Sequence, residues 1–174
     1  MTVQRARNAA AETLANLDVD RAPIDVERVA RRLGMDVVEV DLGPDVSGLL
    51  VTVGEKAKIC VHEGHHRNRK RFTIAHEIGH YVLKHQFGTE HVHVDKGSSV
   101  FINHRNPKSS EGIDPKEIEA NQFAACLLMP TGLIQDAVKR DKLPLAEERV
   151  SSLAKAFQVS EQSMTIRLTT LGMI

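Results

Sequence analysis

The sequence predicts an α+β domain in which a small antiparallel sheet packs on one central helix, with further helices around it. Three observations predict this. Hydrophobic spacing is helical up to Gly34, becomes strand-like from Met35 to Glu63, and turns helical again from Arg69. A chain of 174 residues is one ordinary domain. Its 41% hydrophobic and 26% charged residues are a globular composition. Aromatics are only 3% and Trp is absent, so Val, Ile, Leu, Ala and Met must build the core.

Residues 3–17 are Ala-rich and predict a first helix. Residues 23–34 predict a second: Asp25 can cap it, Val26, Val29, Ala30 and Leu33 recur on one face, and Gly34 stops it. The stretches 35–42, 47–53 and 56–63 are short and rich in Val and Ile. Gly43-Pro44-Asp45 and Gly54-Glu55 supply turns between them, giving a three-stranded antiparallel sheet. Residues 69–85 predict a helix apolar over most of its girth, and therefore central and buried. Residues 86–112 read as irregular apart from a candidate strand at 98–104. Helices follow at 115–129, ended by Pro130, at 131–140, at 146–157 and at 161–171, the last capped by Ser160 and closed by Gly172.

Charge and composition exclude several classes. Lys plus Arg number 23 and Asp plus Glu 23, so the basic excess of a phosphate-binding protein is missing. No apolar run approaches a membrane span, and the N-terminus lacks a signal peptide's apolar core, so a cytoplasmic protein without a membrane partner is expected. Cys60 and Cys126 lie in apolar stretches and read as buried free thiols. All 9 histidines fall between His62 and His104, which suggests a metal or acid–base site.

The decisive motif is His76-Glu77-Ile78-Gly79-His80, an HExxH inside a helical pattern. Residues four apart are one helical turn apart and point the same way, so His76 and His80 can bind one Zn²⁺. Glu77 lies one position on, beside the metal, where it can hold water as a general base. Zinc lowers the pKa of that water toward ~7, within reach of a carboxylate. By chance the motif arises in fewer than about one per cent of chains this long.

A catalytic zinc needs a third protein ligand. Candidates are Asp114, Glu117, Glu119, His85, His91, His93 and His104. Asp114 is a natural N-cap, Pro115 suits the first helical position, and Glu117 sits where a capping-box carboxylate folds back. Glu119 lies deeper, at the edge of the apolar FAACLLM, where a carboxylate needs a partner. Glu119 is therefore the favoured ligand, although both acids also suit the helix dipole. His85 falls about 140° from His80 on the helix and reads as a C-terminal cation. His104 is a candidate supporting electrophile, and Tyr81 a candidate for oxyanion stabilisation or packing. The run Arg67-Asn68-Arg69-Lys70-Arg71 reads either as a contact for an acidic partner or as a turn with local ion pairs.

Beyond the motif, the segments PIDVERVARRLGMDVVEVDL, VSGLLV, RFTIAHEIGHYVLKH, EIEANQFAACLLMP and LAKAFQVSEQSMTIRLTTLG stand in this order. Together they resemble the ImmA/IrrE family of zinc metallopeptidases, over nearly the whole chain from Pro23 to Gly172. The resemblance implies a zincin-like minidomain, Zn²⁺ as cofactor, His76, His80 and Glu119 as metal ligands, and Glu77 as catalytic base. It also implies cleavage of a partner protein, a helix-turn-helix transcriptional repressor, which derepresses stress or mobile-element genes. Residues 1–174 then form a single metallopeptidase domain with a helix-turn-helix-like hairpin at 146–172. Two other readings stay open. The hairpin could bind DNA, which zero net charge and a single cation in its second helix disfavour. The chain could also be a non-catalytic regulatory or antitoxin-like binder that retains a zinc site.

Overall fold

A computed structural model describes residues 2–53, 56–85, 91–95, 114–140 and 147–174. Helices α1 (Thr2–Asn16) and α2 (Val26–Arg32) precede strands β1 (Met35–Val40), β2 (Gly48–Val53) and β3 (Lys56–His62). Helix α3 (Arg67–Val82) and strand β4 (His91–Asp95) follow. Helices α4 (Pro115–Leu128), α5 (Thr131–Arg140), α6 (Glu147–Phe157) and α7 (Glu161–Thr170) complete the described chain.

Local chemistry sets the helix ends. The Asp25 side chain accepts from the Arg28 N–H at 3.0 Å, Asp114 from the Lys116 N–H at 2.8 Å, and Ser160 from the Ser163 N–H at 3.1 Å. Gly34 and Gly172 follow α2 and α7 with φ of +83° and +67°, a conformation that costs glycine nothing.

The sheet has the order β1-β3-β2-β4. β2 and β3 form an antiparallel hairpin, with Val53 opposite Lys56 and Leu50 opposite Ile59. β1, however, runs parallel to β3, with Met35 opposite Ala57. The sheet is thus mixed, and the expectation of an all-antiparallel arrangement is corrected. Residues 41–47 are long enough to carry the chain across one strand position, so β2 lies beyond β3. The turn residues specify the hairpin, but nothing local specifies which of its strands meets β1. The sheet also gains β4, antiparallel to β2, within a stretch read as irregular. The candidate strand at 98–104 lies outside the described residues.

Alternation gives the sheet one buried face. Gly48, Leu50, Ala57, Ile59 and Val61 are buried, while Val53, Lys56 and Lys58 are exposed. Helix α3 packs on β2 and β3, and its other side meets α4, which in turn carries α1. Ile59, Ile78, Phe123 and Leu127 are fully buried in this stack. Each such side chain contributes roughly 1.5–3 kcal/mol relative to exposure. The position of α3 between sheet and helix accounts for its apolar girth.

The basic run at the start of α3 is occupied within the fold. Arg67 donates to Gln158 Oε1 at 2.7 Å, Arg69 to Ser47 Oγ at 2.7 Å, and Lys70 to Glu39 Oε2 at 2.7 Å. Arg71 donates to the carbonyls of Gln158 and Ile24 at 3.2 and 2.8 Å. Burial, then the neighbouring Arg67, lowers the pKa of the Arg71 guanidinium. These bonds tie α3 to β1, to the turn between α6 and α7, and to the loop before α2. The run is therefore neither a solvated turn with local pairs nor a free cationic patch: it opens α3 and bonds to distant segments.

Helices α3 and α4 approach closely at Gly79. A Cβ there would lie 3.1 Å from Phe123 Cδ1 and 3.2 Å from Ala120 Cα. Gly79→Val should therefore force the two helices apart and cost about 1–3 kcal/mol, more than the helix propensity it gains. Urea unfolding followed by circular dichroism measures this, and an unchanged midpoint would show that the contact is loose.

Candidate metal centre

His76 and His80 share one face of α3, with Glu77 beside His76, and the three are 4%, 0% and 0% exposed in the order His76, His80, Glu77. One helical turn separates the two imidazoles, and their Nε2 atoms lie 2.9 Å apart. The third group comes from α4. Glu117 Oε2 lies 3.3 Å from His76 Nε2, and Glu117 Oε1 lies 3.3 Å from His80 Nε2. His76, His80 and Glu117 are the described residues that converge as a possible metal-holding group.

The donor set fits a zinc ion. Bonds of about 2.0–2.1 Å at tetrahedral angles place donor atoms about 3.3–3.4 Å apart. The 3.3 Å separations match this edge length, one to each oxygen of the Glu117 carboxylate, and the 2.9 Å between the imidazole nitrogens is shorter. Two imidazoles and one carboxylate are also a ligand chemistry that zinc takes in catalytic sites. The Glu117 side chain is 33% exposed, so the cluster opens to solvent on that side.

Glu119 lies outside this cluster, so the carboxylate brought to the two histidines is Glu117 and not the expected Glu119. Two residues turn a helix by about 200°, so Glu117 and Glu119 project to opposite sides of α4. Glu119 Oε2 lies 3.0 Å from Arg5 Nη1 and 3.0 Å from His85 Nε2. A carboxylate at the edge of the apolar core does need partners, and these are a guanidinium and an imidazole. Glu117, assigned to a capping box, instead turns its carboxylate to the histidines.

His85 also departs from its expected place. Its Nδ1 lies 2.9 Å from His80 Nδ1. An unbroken helix would turn His85 away from His80, but α3 ends at Val82 and Lys84 has φ of +55°. The left-handed residue turns the chain back and returns His85 to His80.

Glu77 points toward the sheet. A Cβ at Gly48 of β2 would lie 3.4 Å from Glu77 Oε1 and 2.3 Å from Thr73 Cγ2. The missing side chain of Gly48 is thus what lets β2 approach the Glu77 carboxylate. The histidines ahead of the motif have local partners. His66 caps α3, accepting from the Asn68 N–H at 3.2 Å, and His62 stacks on His65 with ring centroids 4.8 Å apart. Tyr81 is a half-buried residue packed against the core. His91 and His93 lie on β4, and His104 lies outside the described residues.

Both cysteines are free; Cys126 is buried and Cys60 half-buried. Burial pushes the Cys60 thiol up, tempered by Lys58. Among the described residues no helix is long and apolar enough to cross a membrane.

Comparison with known proteins supplies the relationship. The family model described as the IrrE N-terminal-like domain, Peptidase M78, matches residues 30–169. The chain belongs to this family. A search of the curated proteins finds no match. Among solved structures, a Mycobacterium tuberculosis transcriptional regulator matches with a TM-score of 0.55 and 18% identity. That match covers 97% of this chain and 46% of the regulator, so the chain spans about half of its length. At this identity the likeness is one of fold.

Within this IrrE N-terminal-like domain, sequence reasoning passed over Asn121. Its Oδ1 lies 3.0 Å from His76 Nδ1, so it accepts from that nitrogen when Nε2 faces the cluster. The signal was present: Asn121 lies four residues after Glu117, one turn along the same face. Second partners of this kind orient metal-binding imidazoles. Asn121→Leu should weaken zinc binding by about 10–100-fold, measured by chelator competition. Unchanged affinity would show that His76 needs no outside partner.

Proposed function

We propose that this chain is a zinc-dependent endopeptidase that cleaves a partner protein, and that the partner is a helix-turn-helix transcriptional repressor. The observation that carries the enzyme reading is the convergence of His76 Nε2, His80 Nε2 and the Glu117 carboxylate, with contacts of 2.9–3.3 Å. Membership in a peptidase family supports it. The repressor as substrate rests on the ImmA/IrrE resemblance of the sequence.

In this reading His76, His80 and Glu117 hold the metal. A zinc ion held by them would supply Lewis-acid polarisation of a scissile carbonyl and a water of pKa near ~7. Glu77 is the neighbouring base: its carboxylate accepts the proton of the attacking water and passes it to the leaving amine. Its burial between α3 and β2 fixes the side chain for this transfer.

The structure weighs against direct DNA binding. Arg167 is the one basic residue of α7, and it is 5% exposed. Its Nε donates to the Met129 carbonyl at 3.0 Å, and its Nη2 to Thr131 Oγ1 at 3.1 Å. Burial above all lowers its pKa, yet a guanidinium stays charged. The cation that would face phosphate is spent inside the fold, and the α6–α7 hairpin closes the core through Leu153, Phe157, Met164 and Leu168.

The test combines metal content with cleavage of purified helix-turn-helix repressors from the same genome. One zinc per chain and a single scissile bond, identified by mass spectrometry, are expected. Glu77→Gln should keep the zinc and lose about 10²–10⁴-fold in rate, whereas Glu117→Ala should lose both. Zinc retained in full by Glu117→Ala would refute the ligand set. Zinc binding without cleavage would leave a regulatory metal site and refute the peptidase reading.

A further inference from the structure

A chain of polar contacts runs outward from His80 and ends on a helix that the family match does not include. His80 Nδ1 lies 2.9 Å from His85 Nδ1, and His85 Nε2 lies 3.0 Å from Glu119 Oε2. Arg5 Nη1 donates to that same oxygen at 3.0 Å. Arg5 Nη2 donates to the Leu83 carbonyl, next to the end of α3, at 2.7 Å. The His80 side chain is 0% exposed, and those of His85 and Glu119 are 4% and 6% exposed. Arg5 belongs to α1, whereas the family match begins at residue 30.

We propose that His85, Glu119 and Arg5 form a positioning relay that holds His80 in its metal-binding tautomer, and that α1 is a working part of the metal centre. The inference rests on the proposed metal site. Its logic is proton bookkeeping along one line. A neutral His80 that offers the Nε2 lone pair to a metal carries its hydrogen on Nδ1. That N–H can only donate, so the facing Nδ1 of His85 must accept. His85 then carries its own hydrogen on Nε2 and donates it to Glu119. The Glu119 carboxylate accepts from both His85 and Arg5. Every donor meets an acceptor, and only one arrangement of the hydrogens satisfies the line. The carboxylate at its far end sets the tautomer of an imidazole two groups away.

The arrangement also explains why Glu119 is buried without touching the histidine–carboxylate cluster. Carboxylates that bond the outer nitrogen of a metal-binding histidine raise its basicity and fix its ring. Here His85 stands between them, so one carboxylate serves two rings. Arg5 adds a restraint at the other end, by fastening the Leu83 carbonyl and hence the turn that brings His85 back.

The relay predicts graded effects on zinc affinity, read by chelator competition. His85→Phe and Glu119→Ala should each weaken binding by about 10–100-fold. Arg5→Met should have a smaller effect, less than about tenfold, because that side chain is 57% exposed and its ion pair is screened. Glu119→Gln keeps the shape and one accepting oxygen, so it should fall between the parent and Glu119→Ala.

A merely structural role would not select a tautomer, so the second readout is ¹⁵N NMR of the imidazoles in the zinc-loaded chain. The parent should show His80 protonated at Nδ1 and His85 at Nε2. Glu119→Ala should bring in the other His85 tautomer while far-UV circular dichroism stays unchanged. If a variant fails to fold, Glu119→Gln and the exposed Arg5→Met still carry the comparison. Parent-like zinc affinity in Glu119→Gln, Glu119→Ala and Arg5→Met, or His85 protonated at Nδ1 in the parent, would overturn the relay while leaving the metal site intact. A parent that binds no zinc would overturn the metal site and the relay together.

Discussion

The close contact of α3 and α4 at Gly79 governs the rest of the structure. The two histidines come from α3 and the carboxylate from α4, so no cluster forms unless the helices lie close enough for Glu117 to reach both rings. The absence of a side chain at Gly79, one residue before His80, allows Phe123 and Ala120 to pack against the α3 backbone. Asn121 then falls beside His76, and Glu119 beside His85. Packing and chemistry share the same few residues, so the metal cluster is rigid because it is part of the core. The sheet closes the other side of α3 in the same way, with Gly48 admitting β2 against Thr73 and Glu77.

The cost of such an arrangement is the burial of several polar groups in one region. His76, His80 and Glu119 are all buried. An unpaired buried ionisable group is expensive, so each must be matched. Asn121 serves His76, His85 serves His80, and Arg5 with His85 serves Glu119. These partners come from two helices, α1 and α4, and from the turn after α3. The polar layer therefore ties α1, α3 and α4 into one unit, and the basic start of α3 ties that unit to β1 and the C-terminal hairpin.

Much of this was legible in the sequence, because it is governed by short-range rules. The caps at Asp25, Asp114 and Ser160, the glycine stops at Gly34 and Gly172, and the strand-like period between Met35 and Glu63 depend on neighbours only. The spacing of His76 and His80 is a property of any helix. What escaped depends on contacts between distant segments. The position of β3 between β1 and β2 follows from tertiary packing, not from the turns. The exchange of roles between Glu117 and Glu119 depends on which face of α4 meets α3. Helical periodicity separates the two acids by more than half a turn, yet cannot say which one faces the histidines. His85 was misplaced because a helical angle was applied beyond the end of the helix. Arg5 lies more than a hundred positions from Glu119, and no local pattern connects them.

The central claim is that one zinc ion sits among His76, His80 and Glu117. Anomalous diffraction from crystals of the zinc-loaded protein, recorded on both sides of the zinc absorption edge, tests it most directly. The account predicts a single anomalous peak about 2.0–2.1 Å from both Nε2 atoms and from a Glu117 carboxylate oxygen, with Glu119 beyond bonding reach. A peak bonded to Glu119 instead, or no peak at the two histidines, would contradict it.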